Sequence, residues 1–322
     1  LQTMVASKAS RVVSAAQGRG VFDFSLRRTH GQDAALKGAR SSYIAGFQGT
    51  SNVLAGKRYT IPVVGTMAHS FVMAFENELE SFLAYSSTFP ERTVLLVDTF
   101  DTLTGIRNAI TTGLELKKKG HRLQGIRLDS GDIVALSISA RKMLDTAGLE
   151  HVKIFASGDL DEGKIKDLID RGAQVDNFGV GTRMGASVDA PFRDVIYKIS
   201  EVTDDKGNFL PTMKLSKAKV TFPGRKQVLR VSDKKGMYIR DVVVLEKEKI
   251  IGTPLLKKVV SGGTIVYAQP SLKEIRDSLR VALMKFPARL KALDGSYRYP
   301  VVISPGLSKL TLRLSRNLSG KG

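Results

Sequence analysis

The chain contains no cysteine. Disulfides, thiolate nucleophiles and cysteine-ligated zinc are excluded together, a pattern that fits a reducing compartment. Histidine is scarce, with four residues in 322. No apolar stretch approaches the roughly 20 residues that cross a bilayer. There is no low-complexity tract, no repeat of solenoid period, no zinc-finger spacing and no long Lys/Arg block. The opening residues, "LQTMVASKASRVVSAAQ", read as the interior of a helix rather than as a leader peptide. A cytoplasmic enzyme is therefore expected, with a further segment upstream of Leu1.

What is present is enough to build a core. The 322 residues are 42% hydrophobic and 25% charged, which suits one large domain or two smaller ones. The net charge is +19, and it is uneven: residues 201–322 hold 25 Lys/Arg against 10 Asp/Glu. Such a surface attracts polyanions through a sequence-blind Coulomb term, so a basic nucleic-acid-binding protein is one reading. The basic residues are scattered among strand-like segments, as in "KLSKAKVTFPGRKQVLRV". That dispersion favours a solvated basic face or attraction of a small anionic substrate.

Residues 1–200 repeat one grammar of strand, polar turn and helix. "TVLLVDTFD" precedes "TLTGIRNAITTGLELKKKG", where Leu103, Ile106, Ile110 and Leu114 recur at helical spacing and Lys117 to Lys119 fall in the last turn before Gly120. "LQGIRLDSGD" precedes "IVALSISARKMLDTAG", "VKIFASGD" precedes "LDEGKIKDLIDRG", and "AQVDNFGVGT" follows. "GVFDFSLRR", "SYIAGF" and "YTIPVVGT" can supply further strands. Repeated units of this kind predict parallel strands covered by helices, and an α/β irregular barrel rather than an open sheet. From Ile199 the grammar changes to short alternating strands, which predicts an antiparallel, β-rich and basic second domain over 201–322. Its "SLKEIRDSLRVALMKFPARLKALDG" reads as one helix, with Ser271 as cap, bent or split at Pro287.

In a barrel the carboxyl ends of the strands carry the chemistry. Ser157 to Asp159 ("SGD") and Phe178 to Thr182 ("FGVGT") stand there, and glycine-containing turns of this kind can bring backbone N–H groups to a phosphate. The alternative is that Gly158, Gly179 and Gly181 only supply backbone freedom. Asp98, Asp101, Asp129 and Asp132 lie on the same rim, where carboxylates can hold ribose hydroxyls or magnesium. Asp101 and Asp132 read as helix caps, which leaves Asp98 and Asp129 as the candidates. His69 follows a strand-like run and is either a hydrogen-bonded structural residue or a catalyst. Phe24 with Arg27 and Arg28 suits stacking and pairing with an aromatic acid, or is a core ring followed by surface arginines.

The ordered set "FDFSLRRTHG", "AGFQGTSNVLAG", "GTMAHS", "VDTFDT", "GIRLDSGD", "ASGDLDE", "FGVGTRMG" and "KVTFPGRKQV" closely resembles the nicotinate phosphoribosyltransferase family. The resemblance implies a type II phosphoribosyltransferase fold, an irregular α/β barrel beside a second domain built from both chain ends. It also implies the union of nicotinate with 5-phosphoribosyl 1-diphosphate, with Mg2+ as cofactor and ATP as co-substrate, in a homodimer. By motif, Ser157, Gly158, Gly179, Gly181 and Thr182 would hold the 5-phosphate, and Asp98 and Asp129 would lie by the ribose hydroxyls and the metal-bound diphosphate. Phe24 would line the pyridine pocket, with Arg27 and Arg127 near the carboxylate or phosphates. His69 would be the histidine that ATP phosphorylates. Ser51 would select the acid, because related nicotinamide-using enzymes carry Asp there. Family members have a sizeable segment ahead of the first helix, which contributes to the second domain and to the neighbouring active site. Quinolinate phosphoribosyltransferase is the competing enzyme, and "GTMAHS" and "GTSNV" point away from it.

Overall fold

A computed structural model describes residues 1–216 and 220–319. They form two compact units. The first comprises Leu1–Arg193 and Leu272–Arg280; the second comprises Asp194–Ser271 and the residues from Val281 onward.

In the first unit, α1 (Gln2–Ala15), β1 (Gly20–Asp23), α2 (Gln32–Ala45), β2 (Gly49–Thr50), α3 (Val53–Tyr59), α4 (His69–Val72), α5 (Glu78–Thr88) and β3 (Val94–Leu96) lead into regular strand and helix alternation. That alternation runs α6 (Thr102–Lys118), β4 (Gly125–Leu128), α7 (Ile133–Thr146), β5 (Lys153–Ala156), α8 (Glu162–Asp170), β6 (Asn177–Val180) and α9 (Thr182–Gly185). The six strands form one parallel sheet in the order β2-β1-β6-β5-β4-β3. This is a half-barrel with covering helices, the α/β class expected. Burial on both faces explains the near-continuous apolar strands: Leu95, Ile126, Leu128, Ile154, Ala156, Phe178 and Val180 are all fully buried.

Two expected strands take other forms. "SYIAGF" is the end of α2, because Ala35, Leu36, Ala39 and Ser42 make a buried stripe at helical spacing. "YTIPVVGT" contributes only an isolated bridge from Val63 to Thr50, since Pro62 has no N–H with which to extend a ladder. The helix ends follow the sequence closely. Asp101 accepts from the Thr104 N–H at 2.9 Å and caps α6, whose last turn carries Lys117 and Lys118. Asp132 caps α7 through the N–H groups of Val134 and Ala135.

Leu272–Arg280 joins the first unit through Arg276. Its guanidinium stacks 4.5 Å from the Tyr43 ring centroid and donates to the carbonyls of Tyr43, Gly46 and Phe47 at the end of α2.

The second unit holds a β7 (Glu201–Thr203) and β8 (Phe209–Pro211) hairpin, then β9 (Lys226–Ser232), β10 (Tyr238–Leu245), β11 (Thr253–Pro254), β12 (Val260–Ser261) and β13 (Thr264–Ile265). After α10 (Leu272–Lys285), whose residues up to Arg280 belong to the first unit, come β14 (Val301–Ile303) and α11 (Pro305–Ser319). The main sheet runs β11-β9-β10-β14. It is mixed rather than antiparallel throughout, because β14 returns parallel to β10 after the long connection that a parallel pair requires. Leu229, Val242 and Val244 form its small core. Arg230 crosses the sheet in a bidentate pair with Asp241, at 2.9 and 2.8 Å. Pro287 splits the long C-terminal helix into α10 and a 3-10 turn at Ala288–Lys291. Lys219, which opens "KVTFPGRKQV", lies outside the described residues. No helix among the described residues is long and apolar enough to cross a membrane.

Helix α6 meets the sheet at a backbone-to-backbone contact. A Cβ on Gly105 would lie 2.1 Å from the Val97 carbonyl oxygen, one residue before Asp98. Gly105→Ala should therefore destabilise the protein by about 1–3 kcal/mol in chemical denaturation, whereas an unhindered helical site would gain up to about 1 kcal/mol from the same change. A stabilised variant would refute the contact.

Candidate active site

The parallel register brings six strand ends to one side of the sheet, and their side chains build the site. Phe24, Arg27, Ser51, His69, Arg127 and Asp129 line one cavity of about 490 Å³, together with Thr66, Met67 and Leu96. These residues come from the ends of β1, β2, β3 and β4 and from the segment leading into α4. Their spread along the chain is closed by the sheet order, which puts β1 and β4 on either side of β5 and β6.

Arg127 organises the cavity. It donates from Nε to Ser157 Oγ at 2.7 Å, from Nη1 to Thr66 Oγ1 at 2.9 Å and from Nη2 to Asp129 Oδ1 at 2.6 Å. Its guanidinium carbon also lies 5.2 Å from the Phe24 ring centroid, within cation–π range. Ser157 Oγ donates in turn to Asp129 Oδ1. Burial works against the ionised form of Asp129, yet the Ser157 hydroxyl, the Arg127 charge and the nearby His69 hold its carboxyl below the ordinary value. An ionised acceptor is thus held at the wall of the cavity.

Asp98 stands one layer back. It is buried and accepts through Oδ2 from the Asp129 N–H at 3.0 Å and from Ser130 Oγ at 2.5 Å, while Oδ1 has no hydrogen-bond partner. His69 Nδ1 lies 3.1 Å from Thr99 Oγ1, and Nε2 lies 3.9 Å from Asp129 Oδ2. Thr99 and Thr66 were not singled out from sequence, although both lie inside motifs that were. Threonine has so many surface roles that only a partner in space distinguishes these two.

The glycines serve close packing. Gly158 has φ +98°, and a Cβ there would fall 2.1 Å from the Asp129 carbonyl oxygen. A Cβ on Gly179 would fall 2.4 Å from the Phe24 ring, and one on Gly181 would fall 2.9 Å from the Phe24 carbonyl oxygen. The β5 and β6 ends therefore bear directly on two of the cavity-lining residues, Asp129 and Phe24. Ser157, Gly158, Gly179, Gly181 and Thr182 sit at those strand ends beside the cavity rather than in its lining. Arg28 is exposed in the 3-10 turn Leu26–Arg28 and is not part of the cavity wall. Asp101 and Asp132 remain at their capping positions.

Residues 20–229 match the nicotinate phosphoribosyltransferase (NAPRTase) family. The chain belongs to that family. Residues 252–311 match the nicotinate phosphoribosyltransferase C-terminal domain. Over 308 residues the sequence is 46% identical to nicotinate phosphoribosyltransferase pncB2 of Mycobacterium tuberculosis (strain CDC 1551 / Oshkosh), an alignment covering 94% of this chain and 64% of that protein. Against the Bacillus subtilis (strain 168) nicotinate phosphoribosyltransferase it is 36% identical over 332 residues, covering 94% of this chain and 67% of the relative. The chain thus spans about two thirds of the length of these relatives. The crystal structure of human nicotinic acid phosphoribosyltransferase superposes with a TM-score of 0.80 at 25% identity, covering 97% of this chain and 74% of that one. The nicotinate-nucleotide pyrophosphorylase of Pyrococcus furiosus gives 0.68 at 28% identity, covering 88% and 70%. Phe24, Arg27, Ser51, His69, Arg127 and Asp129 fall inside the motifs "FDFSLRRTHG", "AGFQGTSNVLAG", "GTMAHS" and "GIRLDSGD".

The loop after β5 is tied to α9 by charge. Asp159, at φ +49°, accepts from Arg183 Nε at 2.9 Å and from Lys164 Nζ at 2.9 Å. These two cations, Arg183 first, lower its carboxyl to about 2. Because the folded value lies below the unfolded one of about 3.9, the pairing adds stability above about pH 4 that fades as the pH falls toward about 2. The stability difference between wild type and Asp159→Asn should shrink on acidification across that window. A difference independent of pH would contradict the pairing.

Proposed function

We propose that this chain joins nicotinate to 5-phosphoribosyl 1-diphosphate, giving nicotinate mononucleotide and diphosphate in NAD biosynthesis, coupled to ATP hydrolysis. The observation that carries the reading is the convergence of Phe24, Ser51, His69, Arg127 and Asp129 on one cavity at the strand ends. A flat ring and a guanidinium face suit a pyridine acid, and the adjoining glycine turns suit a phosphorylated sugar.

The chemistry needs three things from the protein. As diphosphate leaves, the anomeric carbon becomes oxocarbenium-like, so a fixed anion beside the sugar stabilises it. Asp129 is that anion, kept ionised by Arg127 and Ser157. The pyridine nitrogen must also lie in line with the breaking bond, which is a matter of orientation. Phe24, seated against Gly179, provides the plane, and Arg27 and Arg127 supply positive charge for the carboxylate. His69 is proposed as the residue that takes a phosphoryl group from ATP. Its Nδ1 faces Thr99, which leaves Nε2 as the ring nitrogen on the Asp129 side.

Magnesium fits the donor set in one specific way. No group of three metal-ligating side chains occurs among the described residues, so the protein by itself offers no cage. Asp98, with its unpartnered Oδ1, and Asp129 are hard oxygen donors. One or two carboxylates plus substrate phosphates is the usual environment for Mg2+. When bound, the ion would neutralise charge on the departing diphosphate. A homodimer and a cytoplasmic location belong to the same proposal.

Turnover should be seen with nicotinate and not with quinolinate or nicotinamide when each is offered with 5-phosphoribosyl 1-diphosphate, and ATP should increase it. Preference for quinolinate with release of CO2 would overturn the reading. Ser51→Asp places a carboxylate opposite the acid substrate and should lower nicotinate kcat/KM by about tenfold or more. Unchanged kinetics would remove Ser51 from the pocket. In His69→Ala the stimulation by ATP should vanish while ATP-independent turnover persists. Retained ATP coupling would assign the phosphoryl acceptor elsewhere.

A further inference from the structure

Asp23 is a titratable group that the mechanism above does not use. It is the last residue of β1, it is 1% exposed, and burial pushes its carboxyl up from the ordinary value. Its partners are an N–H and a hydroxyl rather than a cation. Oδ1 accepts from the Ser25 N–H at 2.9 Å and Oδ2 accepts from Thr50 Oγ1 at 2.7 Å. A carboxyl buried without a counter-ion is costly, and here two hydrogen bonds offset part of that cost.

The connections around it suggest a role. Thr50 Oγ1, having donated to Asp23, accepts from the Asn52 N–H at 3.0 Å, and the Ser51 N–H donates to the Asp23 backbone carbonyl at 2.8 Å. On the other side, the Phe24 N–H donates to the Val180 carbonyl at 2.8 Å. Ser51 and Phe24, both cavity residues, are therefore each one residue from an atom that Asp23 holds. Strand β2 has only two residues, so its backbone pairing with β1 covers only Phe22 with Gly49 and Asp23 with Thr50. A ladder this short leaves register to side chains, and the Asp23–Thr50 bond supplies the cross-strand tie.

We infer that Asp23 is a positioning residue that sets the distance between Phe24 and Ser51, and thereby how well the cavity takes a pyridine acid. It touches no substrate. It acts through the two neighbours that do. The inference rests on the function proposed above and deepens it.

The test is steady-state kinetics of Asp23→Asn and Asp23→Ala on the full chain, with nicotinate and 5-phosphoribosyl 1-diphosphate varied separately, beside thermal unfolding. Asn keeps the shape and the acceptor for Ser25 but turns an amide toward Thr50. Ala loses both bonds. The expected result is a KM for nicotinate raised about tenfold in Asp23→Ala, the equivalent of one lost hydrogen bond, and by less in Asp23→Asn, with kcat and the KM for the sugar diphosphate changed less than about threefold. Lower thermal stability with both KM values unchanged would overturn the inference and leave Asp23 a structural residue. So would equal losses for both substrates. Should the Ala variant fail to fold, the Asn variant decides by the same criteria. Wild type inactive on nicotinate would overturn the proposed function and this inference together, whereas active wild type with unaltered variants would overturn the inference alone.

Discussion

Three bonds from one guanidinium hold the candidate site in shape. Arg127 spends its donors on Thr66, Asp129 and Ser157, which belong to separate stretches of chain, and its face lies against Phe24. A planar fork with fixed donor directions can do this, and a lysine point charge cannot. The network also favours the ionised form of Asp129. Asp129 is held as an anion in a half-buried setting because the Ser157 hydroxyl and the Arg127 cation are already in place.

That network sits on backbone contacts with no room for side chains. Gly158 presses on the Asp129 carbonyl and Gly179 on the Phe24 ring, so the β5 and β6 ends approach their neighbours more closely than any Cβ would allow. Gly158 and Gly179 thus seat residues of the adjoining cavity wall. Such close packing is compatible with the proposed phosphate role, since a glycine leaves its backbone open to an anion.

The two units differ in character. The first has a sheet buried on both faces, while the second has a small core around Leu229, Val242 and Val244 and carries most of the excess positive charge. Several of its cations are engaged locally, Arg230 with Asp241, and Arg225 with Glu201 while stacked on Phe209. The basic half is therefore engaged in part by local ion pairs and ring contacts. It gives no particular support to a nucleic-acid surface.

What the chain determined locally is what short-range physics controls. Helical periodicity, the caps Asp101 and Asp132, the basic last turn of α6 and the break at Pro287 depend on neighbours a few residues away, and each was legible. The strand ends after "TVLLV", "GIRL" and "VKIFA" could be placed for the same reason, and with them Asp98, Asp129 and Gly158. Tertiary structure decided what depends on partners far along the chain. "SYIAGF" became helix because its stripe found a buried face, β14 turned parallel because of where its connection returned it, and Asp23, Thr66 and Thr99 acquired their hydrogen-bond partners only once β1 met β2, Arg127 reached Thr66 and His69 reached Thr99. Periodicity and capping are encoded in residue spacing, whereas the identity of a hydrogen-bond partner tens of residues away is fixed only when the sheet order brings the two together.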